Sequence, residues 1–386
     1  MVIGKTMRKN SIPVFKPLLG KHEINASTRV LKEGWLGMGK DVDKFEKNIS
    51  KLLGLKNRKV IATSTGHAAL HLALLLLKIK KGDEIIVPSF NNIADFQAIL
   101  AVGAIPIFCD INNETLCIDE SKIEKLITKK TKAIVSMDYA LHMANHTKIN
   151  AIARNNKLRV IHDAAHAFGS SYKGKKVGTF SDILMFSFDP VKTITCIDGG
   201  ALVVKTAAEE KILRELRLMG QQQSSKVLYK NSRSWTYDVK RLGFRYHLAN
   251  LHGAIGNAQL KQFNLISRTR KKTSILYDKL LSECKYVYRP KFNVKDIVPF
   301  IYYIRVNKKH RKELMAFLKE SNVDVGIHWQ PGHWFSLLKK YKTKPLPNTD
   351  LVGNEIITLP LHTSMSEKDT RYIARQIILF FKKKVN

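Results

Sequence analysis

From about residue 58 to residue 220, short β-branched runs alternate with helical patterns, and no other feature constrains the fold as tightly. "KVIAT" (59–63) precedes "HAALHLALLLLKI", "EIIV" (84–87) precedes "ADFQAILAVG", and "IPIFC" (105–109) precedes "ESKIEKLI". "KAIVS" (132–136) precedes "TKINAIARNN", and "RVIH" (159–162), "ILMFSF" (183–188) and "GALVV" (200–204) follow. A strand reaches a parallel neighbour only through a crossover, usually a helix. The alternation therefore predicts an α/β fold with a mostly parallel seven-stranded sheet and helices on both faces.

Downstream the pattern changes. A charged helix near 206–219 leads into the polar stretch "GQQQSSKVLYKNSRSWTYDVKR", which reads as an ordered loop or a mobile segment. A long amphipathic helix is predicted from about His252 to Leu281. "FIYYIRV" (300–306), the helical "KKHRKELMAFLKES" and the apolar "EIITLPL" then predict a separate, smaller α/β unit. The boundary falls within the long helix, giving a large domain over 1–264, N-terminal segment included, and a small domain over 265–386.

The chain of 386 residues carries 66 Lys plus Arg against 32 Asp plus Glu, a formal net charge of +34. Such a field favours anionic partners: nucleic acid, a membrane surface or a phosphorylated small molecule. The charges are interspersed through helix faces, with no zinc finger or other compact recognition module, which argues against nucleic acid. Cys109, Cys117, Cys196 and Cys284 are scattered and form no C-x-x-C pair. Neither a metal site nor a disulfide framework is expected, and a reducing cytoplasm suits them. The N-terminal "MVIGKTMRKNSIPVFKPLLG" is too polar for a signal peptide, and the longest apolar block is cut by Lys78, Lys80 and Lys81. A soluble protein with no membrane span is expected.

Ligands of open α/β sheets sit beyond the carboxyl ends of the strands. There stand Ser64-Thr65-Gly66-His67, "SFNN" with Asn92, Asp138-Tyr139, Asp163 with His166 three residues on, and then Ser187 and Lys192. Helix-start N–H groups with a hydroxyl and a glycine make a phosphate cradle, or else a plain N-cap. A strand-end Asp is equally a turn residue, and a loop lysine a solvated charge. Together, a cradle, a carboxylate and a lysine on one sheet edge are the parts that an enzyme using pyridoxal phosphate needs. The lysine bonds the cofactor, the carboxylate keeps its pyridine nitrogen protonated, and the donors fix its phosphate.

Seven motifs, in order, carry a resemblance that covers nearly the whole chain. They are "GWLGMGKDVDKFE", "TSTGHAALHLAL", "GDEIIVPSFNN", "VIHDAAHAFGSSYKGKKVG", "FSFDPVKTITCIDGGALVV", "LGFRYHLANLHGAIGNAQL" and "VGIHWQPGH". The chain resembles the DegT/DnrJ/StrS-type nucleotide-sugar aminotransferases, which have the type I fold of pyridoxal-phosphate-dependent transferases. The resemblance implies that Lys192 bonds the cofactor and moves the proton, with Gly199 and Gly200 letting the backbone double back after its loop. It implies that Asp163 pairs with the pyridine nitrogen, that His166 approaches the ring hydroxyl, and that Thr65, Gly66 and Ser187 bind the phosphate. Three positions depart from the family pattern. His67 replaces a Thr of the phosphate loop, Asn92 an aromatic ring that stacks on the cofactor, and Arg245 an Asn that reaches the partner subunit's phosphate. His328, Trp329 and His333 stand where the family lines its substrate cleft, or else pack at a domain seam.

The activity so implied moves an amine from L-glutamate to a keto nucleotide sugar, through the pyridoxamine form of the cofactor, in a homodimer with shared active sites. The keto sugar is expected to be a 4-keto-6-deoxyhexose on a nucleoside diphosphate. Two other readings are a pyridoxamine-dependent sugar dehydratase and a basic regulatory or nucleic-acid-binding protein. Lys192 counts against the first, because those relatives carry His there.

Overall fold

The β-branched runs form strands, and the strands alternate their side chains between two buried faces. A computed structural model describes residues 10–385. Residues 1–9, part of the stretch read above as too polar for a signal peptide, lie outside the described residues. The strands are β1 (Lys59–Thr63), β2 (Glu84–Pro88), β3 (Ile105–Cys109), β4 (Thr131–Met137), β5 (Arg159–Asp163), the short hairpin β6–β7 (Ser171–Tyr172 and Lys175–Lys176), β8 (Ile183–Ser187) and β9 (Gly200–Val204). Without the hairpin they make one seven-stranded sheet in the order β1-β9-β8-β5-β4-β2-β3. The pairs from β3 through β8 are parallel, and β9 runs antiparallel to both neighbours. The expected mostly parallel sheet is what the chain forms.

One sheet face carries Ile61, Val87, Ile161 and Leu202 against Ala69, Leu72, Phe96 and Leu213 of the helices Gly66–Leu76, Ile93–Ala101 and Ala207–Leu216. The other presents Val60, Leu184 and Phe186 to Val42, Phe45 and Ile49 of the helix Lys40–Leu53. The smaller sheet, β10 (Val287–Tyr288), β11 (Tyr302–Val306) and β12 (Ile356–Leu359), is antiparallel. It packs on the helices Phe263–Leu281, Lys308–Glu320 and Glu367–Val385.

The single helix predicted over 252–281 is two, Asn250–Lys261 and Phe263–Leu281, broken at Gln262. The Gln262 N–H bonds the Gln259 carbonyl three residues back, and both glutamine side chains donate to Oε1 of buried Glu23. The tightened turn kinks the helix where it meets the N-terminal helix Lys21–Glu33.

The edge strand β1 is anchored by a buried ionic cluster. Glu46 Oε1 accepts the Ala62 N–H at 2.8 Å and Arg217 Nη1 at 2.7 Å. Its Oε2 accepts Arg214 Nη2 at 3.1 Å and the Tyr229 hydroxyl at 2.7 Å. Burial alone would push the Glu46 carboxyl up, but the two guanidinium groups outweigh it and hold it below its usual range. Arg217 is 0% exposed, so losing the carboxylate leaves a buried cation unpaired. Glu46→Ala is expected to destabilise the fold by about 3–5 kcal/mol, read from urea unfolding.

Candidate functional site

At the end of β1 the chain turns into the helix Gly66–Leu76, and Thr65 caps it. Thr65 Oγ1 accepts the Ala68 N–H at 2.9 Å, and the Thr63 hydroxyl donates to the Thr65 carbonyl at 2.9 Å. The first N–H groups, of Gly66 and His67, have no intrahelical acceptor and form an anion site at the positive end of the helix. Ser187, the last residue of β8, closes that site. A Cβ on Gly66 would lie 2.9 Å from Ser187 Oγ, and one on Gly200 would lie 2.4 Å from the Thr65 carbonyl oxygen. Gly199 and Gly200 do not turn the backbone as expected, because neither has a left-handed φ. Ile197 does, at φ +73°, and Gly200 serves close approach instead. The His67 residue is exposed.

Asp163 closes β5 and is buried, its Oδ1 accepting the Ala165 N–H at 2.8 Å. Lys192 lies on the loop between β8 and β9, half-buried, its Nζ 4.5 Å from the centre of the Phe300 ring. Burial pushes its ammonium pKa down, against the opposing charges of Asp163, Asp189 and Asp95. His166 completes this group. Its Nδ1 accepts the Ala140 N–H at 3.3 Å, so Nε2 carries the proton, and that N–H has no partner. The imidazole sits 4.4 Å from Phe300 and 5.9 Å from Trp329, ring centre to ring centre, and burial beside Lys192 keeps it neutral. Trp329 Nε1 is also buried without an acceptor.

The other expected residues divide. His328 stays at the seam, Nδ1 to the Thr358 hydroxyl at 3.0 Å, its pKa pushed down to about 4 by burial and by Lys192. Both nitrogens of His333 are occupied, by Ser89 Oγ at 2.7 Å and Asp350 Oδ1 at 2.8 Å, which gives it a bracing place rather than an open one. Asn92 caps the helix Ile93–Ala101, its Oδ1 accepting the Ala94 N–H at 2.9 Å. Arg245 is exposed on the strand-like segment beside the cradle, where Ser64 N–H bonds the Tyr246 carbonyl at 2.7 Å.

Sequence reasoning missed Phe300 and Asp95. Phe300 sits in the apolar run before β11 and carries no sign of its place over a lysine 108 positions away. Asp95 reads as an ordinary first-turn helix acid, yet it is buried beside Asp163. The buried trio Asp138, His146 and His162 has metal-ligand chemistry. Its contacts, Asp138 to His146 at 2.7 Å and to His162 at 2.6 Å, are hydrogen-bond lengths, and it braces β4 against β5 behind Asp163.

The model of the DegT/DnrJ/EryC1/StrS aminotransferase family matches residues 17–378. The chain is 31% identical over 380 residues to the spore coat polysaccharide biosynthesis protein SpsC of Bacillus subtilis, covering 94% of this chain and 95% of that one. The solved structure of Helicobacter pylori PseC, an aminotransferase involved in pseudoaminic acid biosynthesis, superposes with a TM-score of 0.89 at 26% identity, over 97% of this chain and 100% of that one. The pyridoxal-phosphate form of Spr1654 from Streptococcus pneumoniae, a sugar aminotransferase by its description, gives 0.89 at 25% identity, over 97% and 99%.

Buried neutral histidines make this architecture acid-sensitive. His142, 9% exposed and bonded to the Tyr303 hydroxyl at 3.0 Å, has its pKa pushed down to about 4 by burial. The unfolded chain takes up that proton near the ordinary value of 6.5, so stability falls as pH drops below it and the loss is complete below the folded value. His142→Gln is expected to remove roughly 3 kcal/mol of the stability difference between pH 7 and pH 4, measured by urea unfolding at both.

Proposed function

The chain belongs to the DegT/DnrJ/EryC1/StrS aminotransferase family, and from that membership we propose that it transfers the amino group of L-glutamate to a keto nucleotide sugar. It is a pyridoxal-phosphate-dependent sugar aminotransferase by family. One observation carries the reading to residues: a helix-start anion site, a buried carboxylate and a half-buried lysine meet at one sheet edge.

The residues fit the cofactor. Gly66 and His67 N–H groups, Thr65 and Ser187 would hold its phosphate, Asp163 would accept from its pyridine nitrogen, and the unpartnered His166 Nε2–H would donate to its ring oxygen. Bound there, the cofactor supplies an electron sink for exchange of amine and carbonyl. Lys192 would bond it through Nζ and, as a free amine, would be the base that holds and moves the proton of the amino donor's α-carbon. Its depressed pKa keeps more of it as the free amine that both tasks need. His328 and Trp329, at the seam beside Lys192, would meet the sugar.

The substrate we propose is a nucleoside-diphosphate 4-keto-6-deoxyhexose, in amino-sugar or polysaccharide biosynthesis. The named roles of the SpsC and PseC relatives support that setting. No helix among the described residues is long and apolar enough to cross a membrane, and a cytoplasmic site is part of the proposal. So is the division at residue 264. Along the helix Phe263–Leu281, Phe263 and Ile266 join the large-sheet core, and Tyr277 and Leu281 the small one.

We also propose a homodimer. Trp235 and Leu242 are 86% and 83% exposed on the segment leading to exposed Arg245, an apolar face suited to a second copy. Arg245 would there grip the partner subunit's phosphate with two parallel hydrogen bonds.

Glutamate plus a panel of keto nucleotide sugars, with products resolved by mass and NMR, tests the reaction. No amination of any member overturns it. Lys192→Ala should still bind pyridoxal phosphate while transamination falls about a thousand-fold or more, by single-turnover kinetics. Arg245→Ala should weaken cofactor binding, and mixing it with Lys192→Ala should restore partial activity, since one hybrid site keeps both residues. Confirmed heterodimers without rescue would sink the shared site.

A further inference from the structure

Asp95 is the third residue of the helix Ile93–Ala101 and is 1% exposed. Its Oδ2 accepts the side-chain amide of Asn91, and its Oδ1 has no N–H or hydroxyl donor. The hydrogen-bond partner left to this carboxyl is another carboxyl, that of Asp163. Two carboxylates are acceptors only, so a bond between them requires a proton. Without it, two buried negative charges would stand in contact, at a cost that raises the pKa of one of them strongly.

We propose that Asp95 and Asp163 hold one proton between them, with Asp95 the protonated partner, so that Asp95 sets how strongly Asp163 accepts a hydrogen bond from the cofactor's ring nitrogen. The second clause rests on the cofactor reading above.

The surrounding groups decide which carboxyl keeps the proton. Asp163 receives the Ala165 N–H at 2.8 Å, while Asp95 has only the Asn91 amide. Lys192 favours ionisation of both, and Asp163, Asp189 and Asp95 in turn oppose the lowering of its own pKa by burial. Asp138, kept ionised by His146 and His162, repels a charge on Asp163, and His166 stays neutral. Burial raises both carboxyls. The pair then carries one negative charge, on Asp163. A carboxylate that already accepts an O–H is a weaker acceptor than one standing alone, which makes Asp95 a positioning and tuning residue rather than one that touches substrate.

Infrared spectroscopy of the cofactor-free protein at pH 7 tests the shared proton. The wild type should show a protonated-carboxyl stretch that both Asp95→Asn and Asp163→Asn lose, because an amide at either position donates to the remaining carboxylate and lets it ionise. No such band in the wild type, or a band that survives in Asp163→Asn, overturns the proposal. The tuning role is read from the visible absorbance of bound pyridoxal phosphate against pH. Its transition should move by about one unit in Asp95→Ala and by much less in Asp95→Asn, which keeps a donor. A transition unmoved in Asp95→Ala overturns that role. If the wild type binds no pyridoxal phosphate, the cofactor reading and the tuning role fall together, and the infrared result still decides the shared proton.

Discussion

The site depends on a backbone contact that leaves no room for a side chain. Gly200 opens β9 against the Thr65–Gly66 peptide, where an added Cβ would lie 2.4 Å from the Thr65 oxygen. That contact lets the one reversed strand slot between β1 and β8, so the ends of three strands meet at the helix start. The loop that joins β8 to β9 is thereby drawn back across the sheet edge, carrying Lys192 to the side of Asp163. The Glu46 cluster serves the same geometry from behind, tying Ala62 to Arg217, one residue before the segment that bridges to Arg245.

Around that contact the chain concentrates ionisable groups that water would normally screen. Lys192, Asp163 and Asp95 share a buried neighbourhood, with the Asp138 trio behind them. Burial depresses the lysine toward its free amine and raises Asp95 toward its protonated form. The net charge of +34 has no part in this arrangement.

The small unit contributes more than a lid. Phe300 faces the ammonium of Lys192, Phe15 stacks on Phe300 at 5.4 Å, and the Tyr139 hydroxyl donates to the His328 carbonyl. The N-terminal segment laces into the same unit, Ile12 bonding Asn322 and Asp324 through its backbone, and Val14 accepting the Leu361 N–H. The N-terminal segment and the small unit are thus joined beside Phe300 and Lys192.

Much of this was legible in residue order. The seven strands follow from period and β-branching, and Thr65, Gly66, Asp163, Ser187 and Lys192 could be placed because a strand end is a position that local pattern defines. Three things were not legible, for a common reason. The break at Gln262 is made by Glu23, more than two hundred residues earlier. The turn at Ile197 and the role of Gly200 depend on a neighbouring strand rather than on the loop's own composition. Asp95 looks like a helix-start acid until the fold buries it against Asp163. The sequence alone determined which elements form and which residues stand at their ends, because those are short-range properties. Which side chains touch, which are occupied as caps and braces, and which carboxyl must keep a proton were decided only by the tertiary structure, because burial and contact are long-range properties that no local pattern encodes.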